Sequence, residues 1–154
     1  MPVEIERKFL VAADSWRASA APGVSIAQAY LTTSGPFSVR VRRMGPQAFL
    51  TIKSNDPGHS RAEFEYDLPT AHADHILSQL EAGSLRIEKT RHKVMVDGNE
   101  WSVDVFSGAL SGLTLAEIEL SDPDQAFSRP DWLGDEVTDD PRYRNASLAE
   151  RGLP

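Results

Sequence analysis

Apolar and polar residues alternate with period two along most of the chain. Alternate side chains of an extended strand share a face, so this spacing predicts strands. The opening stretch MPVEIERKFL places Glu4, Glu6 and Lys8 between Val3, Ile5 and Phe9. Similar alternation predicts eight strands, over residues 2–10, 25–33, 36–44, 47–54, 60–68, 85–96, 100–107 and 114–121. Turn-forming residues separate many of them, including Ser34-Gly35-Pro36, Gly45-Pro46, Asn55-Asp56-Pro57-Gly58, Asp97-Gly98-Asn99 and Ser111-Gly112. One helix starts at Pro69-Thr70, carries Ala73, Ile76, Leu77 and Leu80 as a stripe, and ends at Gly83. Short helices are expected at 14–20 and 144–151, with an irregular stretch at 122–142. The expected fold is therefore mainly β (α+β), a barrel or sandwich of mostly antiparallel strands with a few helices. It forms a single domain over 1–154, with strands in 1–121 and an irregular segment plus short helix in 122–154.

The polar positions of these strands are almost all charged. After Glu4, Glu6 and Lys8 come Arg40 and Arg42, Lys53, then Arg61, Glu63 and Glu65. Lys89, Arg91 and Lys93 follow, then Asp104, then Glu117 and Glu119. Arg7, Arg43 and Glu88 are the exceptions, falling on the apolar parity. One reading is an antiparallel sheet with a solvated face and a buried face. Solvated faces usually mix Thr, Ser and Gln among the charges, however. Here the signs also segregate by strand: Glu4/Glu6 and Glu117/Glu119 are acidic pairs, whereas Arg40/Arg42 and Lys89/Arg91 are basic pairs. Like charges crowded on a sheet face repel. The other reading is a barrel that turns this face inward around water. Its apolar outside would be covered by helices, loops or a partner.

The inward reading selects a ligand class. Clustered carboxylates hold hard divalent cations such as Mg²⁺ or Mn²⁺. Clustered Arg and Lys hold phosphate. A triphosphate clamped between bases and metal suits both halves of the pattern.

Composition narrows the field further. The chain has 154 residues, a net charge of −7 and no cysteine, which excludes disulfides, thiolate metal sites and a catalytic thiol. The acidic balance argues against a broad nucleic-acid interface. No stretch approaches the roughly 18 apolar residues that span a bilayer. No basic segment followed by an apolar run opens the chain. A cytoplasmic location is expected, as a monomer or homodimer.

In this order and parity the charged motifs resemble the CYTH superfamily, the triphosphate tunnel metalloenzymes. The ExExK signature corresponds to Glu4, Glu6 and Lys8, and the match continues to Glu117-x-Glu119. The tail, through Gly134–Thr138 and Tyr143–Ala149, resembles short bacterial members, a branch that includes inorganic triphosphatases. The resemblance implies an eight-stranded antiparallel barrel enclosing a charged tunnel. It implies metal-dependent hydrolysis of tripolyphosphate to pyrophosphate and phosphate, with two divalent ions, Mg²⁺ or Mn²⁺. Other branches leave a class IV adenylate cyclase or a thiamine or nucleoside triphosphatase as alternatives; the non-enzymatic alternative is a polyphosphate or nucleotide binding module.

The implied metal ligands are Glu4, Glu6, Asp104, Glu117 and Glu119. The implied substrate ligands are Lys8, Arg40, Arg42, Lys53, Arg61, Lys89 and Arg91. Glu6, Lys8 and Lys89 would be catalytic, and Glu63 and Glu65 supporting. Glu4 and Glu6 are expected to meet Glu117 and Glu119 across the lumen. Tyr30 is expected either at one end of the tunnel or in the core, and His92 on the side facing away from it.

Overall fold

A computed structural model describes residues 2–57, 60–80 and 85–154. The alternating segments form β1 (Val3–Val11), β2 (Val24–Thr32), β3 (Phe37–Met44), β4 (Gln47–Ser54) and β5 (Ser60–Asp67). After helix α1 (Thr70–Gln79) come β6 (Arg86–Val96), β7 (Asn99–Phe106) and β8 (Thr114–Glu119). The strands pair in the order β5-β4-β3-β2-β6-β7-β8-β1, and β1 pairs again with β5, closing an antiparallel barrel. The expected helix at 14–20 is a 3₁₀ helix over Ser15–Ser19, and α2 (Asn145–Arg151) occupies the predicted 144–151. The expected end of α1 at Gly83, and Gly58 of the predicted turn, lie outside the described residues. Among the described residues, no helix is long and apolar enough to cross a membrane.

The predicted turn between β6 and β7 has a definite cause. Val96 pairs with Asn99, leaving Asp97 and Gly98 as a two-residue loop with φ of 48° and 83°. Two positive φ values give the turn whose twist matches its strands, and Asp-Gly accommodates them.

One strand lies in the segment read as irregular. β9 (Leu133–Glu136) pairs with β1 at Phe9 and Val11. β5 reaches only Val3, Glu4 and Ile5 of that same β1 edge. The tail fills the space between: Val137 donates its amide to the Lys8 carbonyl at 2.8 Å, and Thr138 Oγ1 accepts from the Lys8 amide at 3.0 Å. The seam of the barrel is thus completed by residues 133–138.

The apolar parity faces outward, and much of it is covered. On one side Phe9, Trp101, Val103, Ala116 and Ile118 pack with Trp16, Leu120 and Trp132 from the connecting segments. On another, Ala29, Val41 and Ala48 pack under Ala73 and Leu77 of α1. His92 lies on this outer side, 5.2 Å from the Trp16 ring, as its parity predicts. The exceptional Arg7 pairs with Glu136 of β9, and Arg43 with Asp74 of α1.

A third apolar cluster lies at one end of the barrel. Ile87, Phe106 and Leu115 pack there with Leu110, Val137 and Leu148 of α2. Phe106 is directly opposite Lys89, and Leu115 opposite Asp104, so these apolar groups share the inward parity. The interior is therefore not polar throughout; α2 plugs one end. Leu148 is buried, so Leu148→Ala should cost about 2–5 kcal/mol, measured by urea unfolding.

Candidate active site in the barrel lumen

The polar part of the interior is a cavity of about 270 Å³. Glu4 and Glu6 of β1 and Glu117 and Glu119 of β8 form one wall. Arg40 and Arg42 of β3, Lys53 of β4 and Arg91 of β6 also line it, with Glu63 and Glu65 of β5. A narrow extension shares Glu4 and Glu6 and is lined by Lys8, Arg61, Thr138 and Arg144.

The acids do not meet across the lumen as expected. β1 and β8 are neighbours, with Glu6 directly opposite Glu119 and Lys8 opposite Glu117. Chain order places these strands first and last, but barrel closure makes them adjacent. The carboxylates consequently share one wall.

Their electrostatics follow from that crowding. Burial, with the charges of Glu117 and Glu4, pushes the Glu6 carboxyl up to about 7, against the opposing pull of Lys53. Burial also raises Glu4, and burial with the charges of Glu4 and Glu6 raises Glu119. Glu117 behaves differently: burial would raise it, but Lys8, 3.5 Å away, together with Arg91 and Lys89 holds it down to about 2. Lys53 contacts Glu4 and lies 3.7 Å from Glu6 and 3.9 Å from Glu63. Although burial opposes its charge, Glu6 and Glu4 hold the Lys53 ammonium above its ordinary range.

Positive charges crowd one another on the basic wall. Arg42 is buried; burial and the nearby Arg40 and Arg91 lower it to about 9. Its Nε donates to Gln28 Oε1 at 2.8 Å. Gln28 sits on β2, the strand without charges, directly opposite Arg42. Tyr30, opposite Arg40, is buried. Arg40 NH2 donates to Thr51 Oγ1 at 3.3 Å and lies 4.0 Å from Glu65.

Lys89 and Asp104 have the expected parity but do not line the cavity. Asp104 is 1% exposed; it accepts from Arg91 Nε at 2.7 Å and NH2 at 2.9 Å, and lies 2.7 Å from Lys89 Nζ. Those two cations keep its carboxyl far below the ordinary range despite burial. Lys89 lies 5.2 Å from the Phe106 ring. Burial, with Arg91 and Arg42 nearby, lowers it to about 7.

Several lining residues escape the sequence reading. Glu100 and Ser102 lie within the strand expected at 100–107 and share the parity of Asp104, so applying that parity to the whole strand would have included them. Arg144 and Asn145 come from the tail, where no alternation exists to flag them.

Among the described residues, no three ligating side chains stand arranged to hold a metal ion. Lys53 sits among Glu4, Glu6 and Glu63 instead. The donor set nevertheless fits a hard divalent cation: it is all carboxylate oxygen, and the raised Glu4, Glu6 and Glu119 carry repulsion that a cation relieves.

Comparison with known proteins agrees with this geometry. The CYTH domain family model matches residues 2–153. A protein of Acetivibrio thermocellus named inorganic triphosphatase is 44% identical over 150 residues, 97% of this chain and 95% of that one. A Nitrosomonas europaea protein of the same name is 41% identical, covering 95% of this chain and 96% of its own. The crystal structure of an inorganic triphosphatase superposes with a TM-score of 0.70 at 37% identity, covering 100% of this chain and 99% of that chain. With its charged barrel and a family match along nearly its whole length, the chain belongs to the CYTH domain family.

Proposed function

We propose that this protein is a divalent-metal-dependent triphosphatase that cleaves inorganic triphosphate to pyrophosphate and phosphate. The observation that carries this reading is the two-signed lumen. One cavity of about 270 Å³ faces carboxylates from β1 and β8 on one side and Arg40, Arg42 and Arg91 on the other. The names of the relatives support the same activity.

Glu4, Glu6 and Glu119 would hold Mg²⁺ or Mn²⁺, two ions being the expected number, with Glu117 beside them. When bound, such ions neutralise charge on phosphate oxygens and make a coordinated water more acidic. Arg40, Arg42 and Arg91 would grip the phosphates and stabilise transition-state charge by position rather than by rearranging. Lys53 would pass from the carboxylates to phosphate as metal takes its place. Lys8 and Arg61 would serve the narrow extension. Asp104 takes a different role from the metal ligand expected of it: it orients Arg91 and Lys89. Glu65 would steady Arg40, 4.0 Å away, and Glu63 would steady Lys53.

Incubation with tripolyphosphate, ATP or thiamine triphosphate, each with Mg²⁺ and with Mn²⁺, tests the reading. Phosphate released mainly from tripolyphosphate supports it. Cyclic AMP with pyrophosphate, preferential thiamine triphosphate cleavage, or binding without turnover would each overturn it. Arg42→Ala should raise KM for tripolyphosphate roughly 10- to 100-fold, because a charged hydrogen bond to phosphate is lost. Unchanged steady-state kinetics would place β3 away from the substrate.

A further inference from the structure

The tail completes the seam of the barrel and also reaches its interior. Tyr143 accepts the Lys8 ammonium on its backbone carbonyl at 2.9 Å. Two residues later, Asn145 lines the same cavity as Arg42 and Arg91. Asn145 Oδ1 is 3.3 Å from Lys89 Nζ, which donates to it. Lys89 itself has a side chain with no exposure and does not line the cavity. Asn145 therefore stands between a buried ammonium and the lumen.

The chemistry of the two groups fixes how the amide lies. Paired with the Asp104 carboxylate at 2.7 Å, Lys89 is an ammonium, with three donors and no acceptor, so the carbonyl oxygen of Asn145 faces it. The amide nitrogen must then point the other way. It makes no hydrogen bond among the described residues. It is a donor on a wall whose neighbouring groups, Arg42 and Arg91, are suited to anions. Lys89 is held on its far side by Asp104 at 2.7 Å, so the orientation is anchored in the barrel wall.

We propose that Asn145 is a substrate-contacting residue, supplied by the tail and not by any barrel strand. Its carbonyl is pinned by Lys89 and its amide N–H group donates to a phosphate oxygen of the bound triphosphate. The proposal rests on the triphosphate reading of the lumen. It adds a neutral donor to an otherwise charged lining, and makes α2 part of the binding surface as well as a plug. A neutral donor aids binding without adding to the repulsion among Arg40, Arg42 and Arg91.

The test separates contact with substrate from support of Lys89. Tripolyphosphate affinity is measured by calorimetry in EDTA, where turnover is suppressed, and again with Mg²⁺. Asn145→Ala should weaken binding roughly tenfold, the effect of a hydrogen bond to a charged group. Asn145→Asp keeps an acceptor for Lys89, so its Tm should not fall, yet its affinity should fall at least as far. In the wild-type protein, saturating tripolyphosphate should shift the ¹⁵N–¹H₂ side-chain resonance of Asn145, assigned by its loss in Asn145→Asp. Unchanged affinity in Asn145→Ala, or an unmoved amide resonance, overturns the proposal. If wild type binds but does not hydrolyse tripolyphosphate, the activity reading fails while the contact is still decided. If it does not bind under either condition, both fall.

Discussion

Glu6→Gln is expected to reduce metal-dependent phosphate release from tripolyphosphate on the order of 1,000-fold while leaving the protein folded. Glu6 is a wall residue of the cavity, directly opposite Glu119 and within reach of Lys53. Its carboxylate is crowded by like charges there. Burial and the neighbouring Glu117 and Glu4 raise it to about 7. A cation bound at this wall would be attracted by that charge, and a neutral glutamine cannot replace it.

The same residue makes a prediction about pH in the metal-free protein. Glu6 ionises near 4.5 in the unfolded chain and near about 7 in the fold. Between those values the folded state holds a proton that the unfolded state has released. The penalty for burying the carboxylate therefore grows as pH rises through this window, and is complete above about 7. Thermal melts in EDTA should show Tm falling from pH 5 to 7.5, and Glu6→Gln should flatten that slope. Adding Mg²⁺ should restore stability most at the higher pH, because ion binding displaces the proton. Calorimetry in buffers of different ionisation enthalpy should register that proton release in wild type and much less in the variant. A variant with wild-type turnover, or melts with identical pH slopes, would remove Glu6 from this role.

Much of this wall was legible in the chain. Each long strand has one covered face and one lumen face, so period two survives in the sequence and assigns Glu4, Arg42 or Glu119 to a side. Parity assigns a side but not a depth. Lys89 and Asp104 share the inward face with Ile87, Phe106 and Leu115, and it is this apolar company that takes them below the cavity. Nor does chain order give strand order: the meeting of β1 and β8 comes from closure, through contacts distant in sequence. β9 escaped because four residues, Leu133 to Glu136, show no alternation; the free edge of β1 supports them. Arg144 and Asn145 enter the site from a 3₁₀ turn and the start of α2, where a strand pattern has nothing to say about direction.

Asp104→Asn should show how deep that charge network runs, and its main effect should be on stability. The carboxylate is buried and shared by Lys89 and Arg91, with Arg42 also near enough to feel its charge. Removing the negative charge leaves buried cations facing one another across a region that water scarcely reaches. Breaking a buried ion pair in this way costs about 3–5 kcal/mol, which is roughly a 10 °C fall in Tm for a chain of this size. The loss should appear fully in EDTA, since the partners of Asp104 are side chains and not a metal. A metal ligand facing the lumen would behave in the opposite way. Its replacement would relieve repulsion in the metal-free protein and weaken Mg²⁺ binding. Melting wild type and Asp104→Asn with and without Mg²⁺ separates the two. An undiminished metal-free Tm combined with lost Mg²⁺ affinity would return Asp104 to the metal site. A large metal-free loss, with little further change on adding Mg²⁺, would establish it as the anchor that holds Arg91 and Lys89 beneath the phosphate-binding wall.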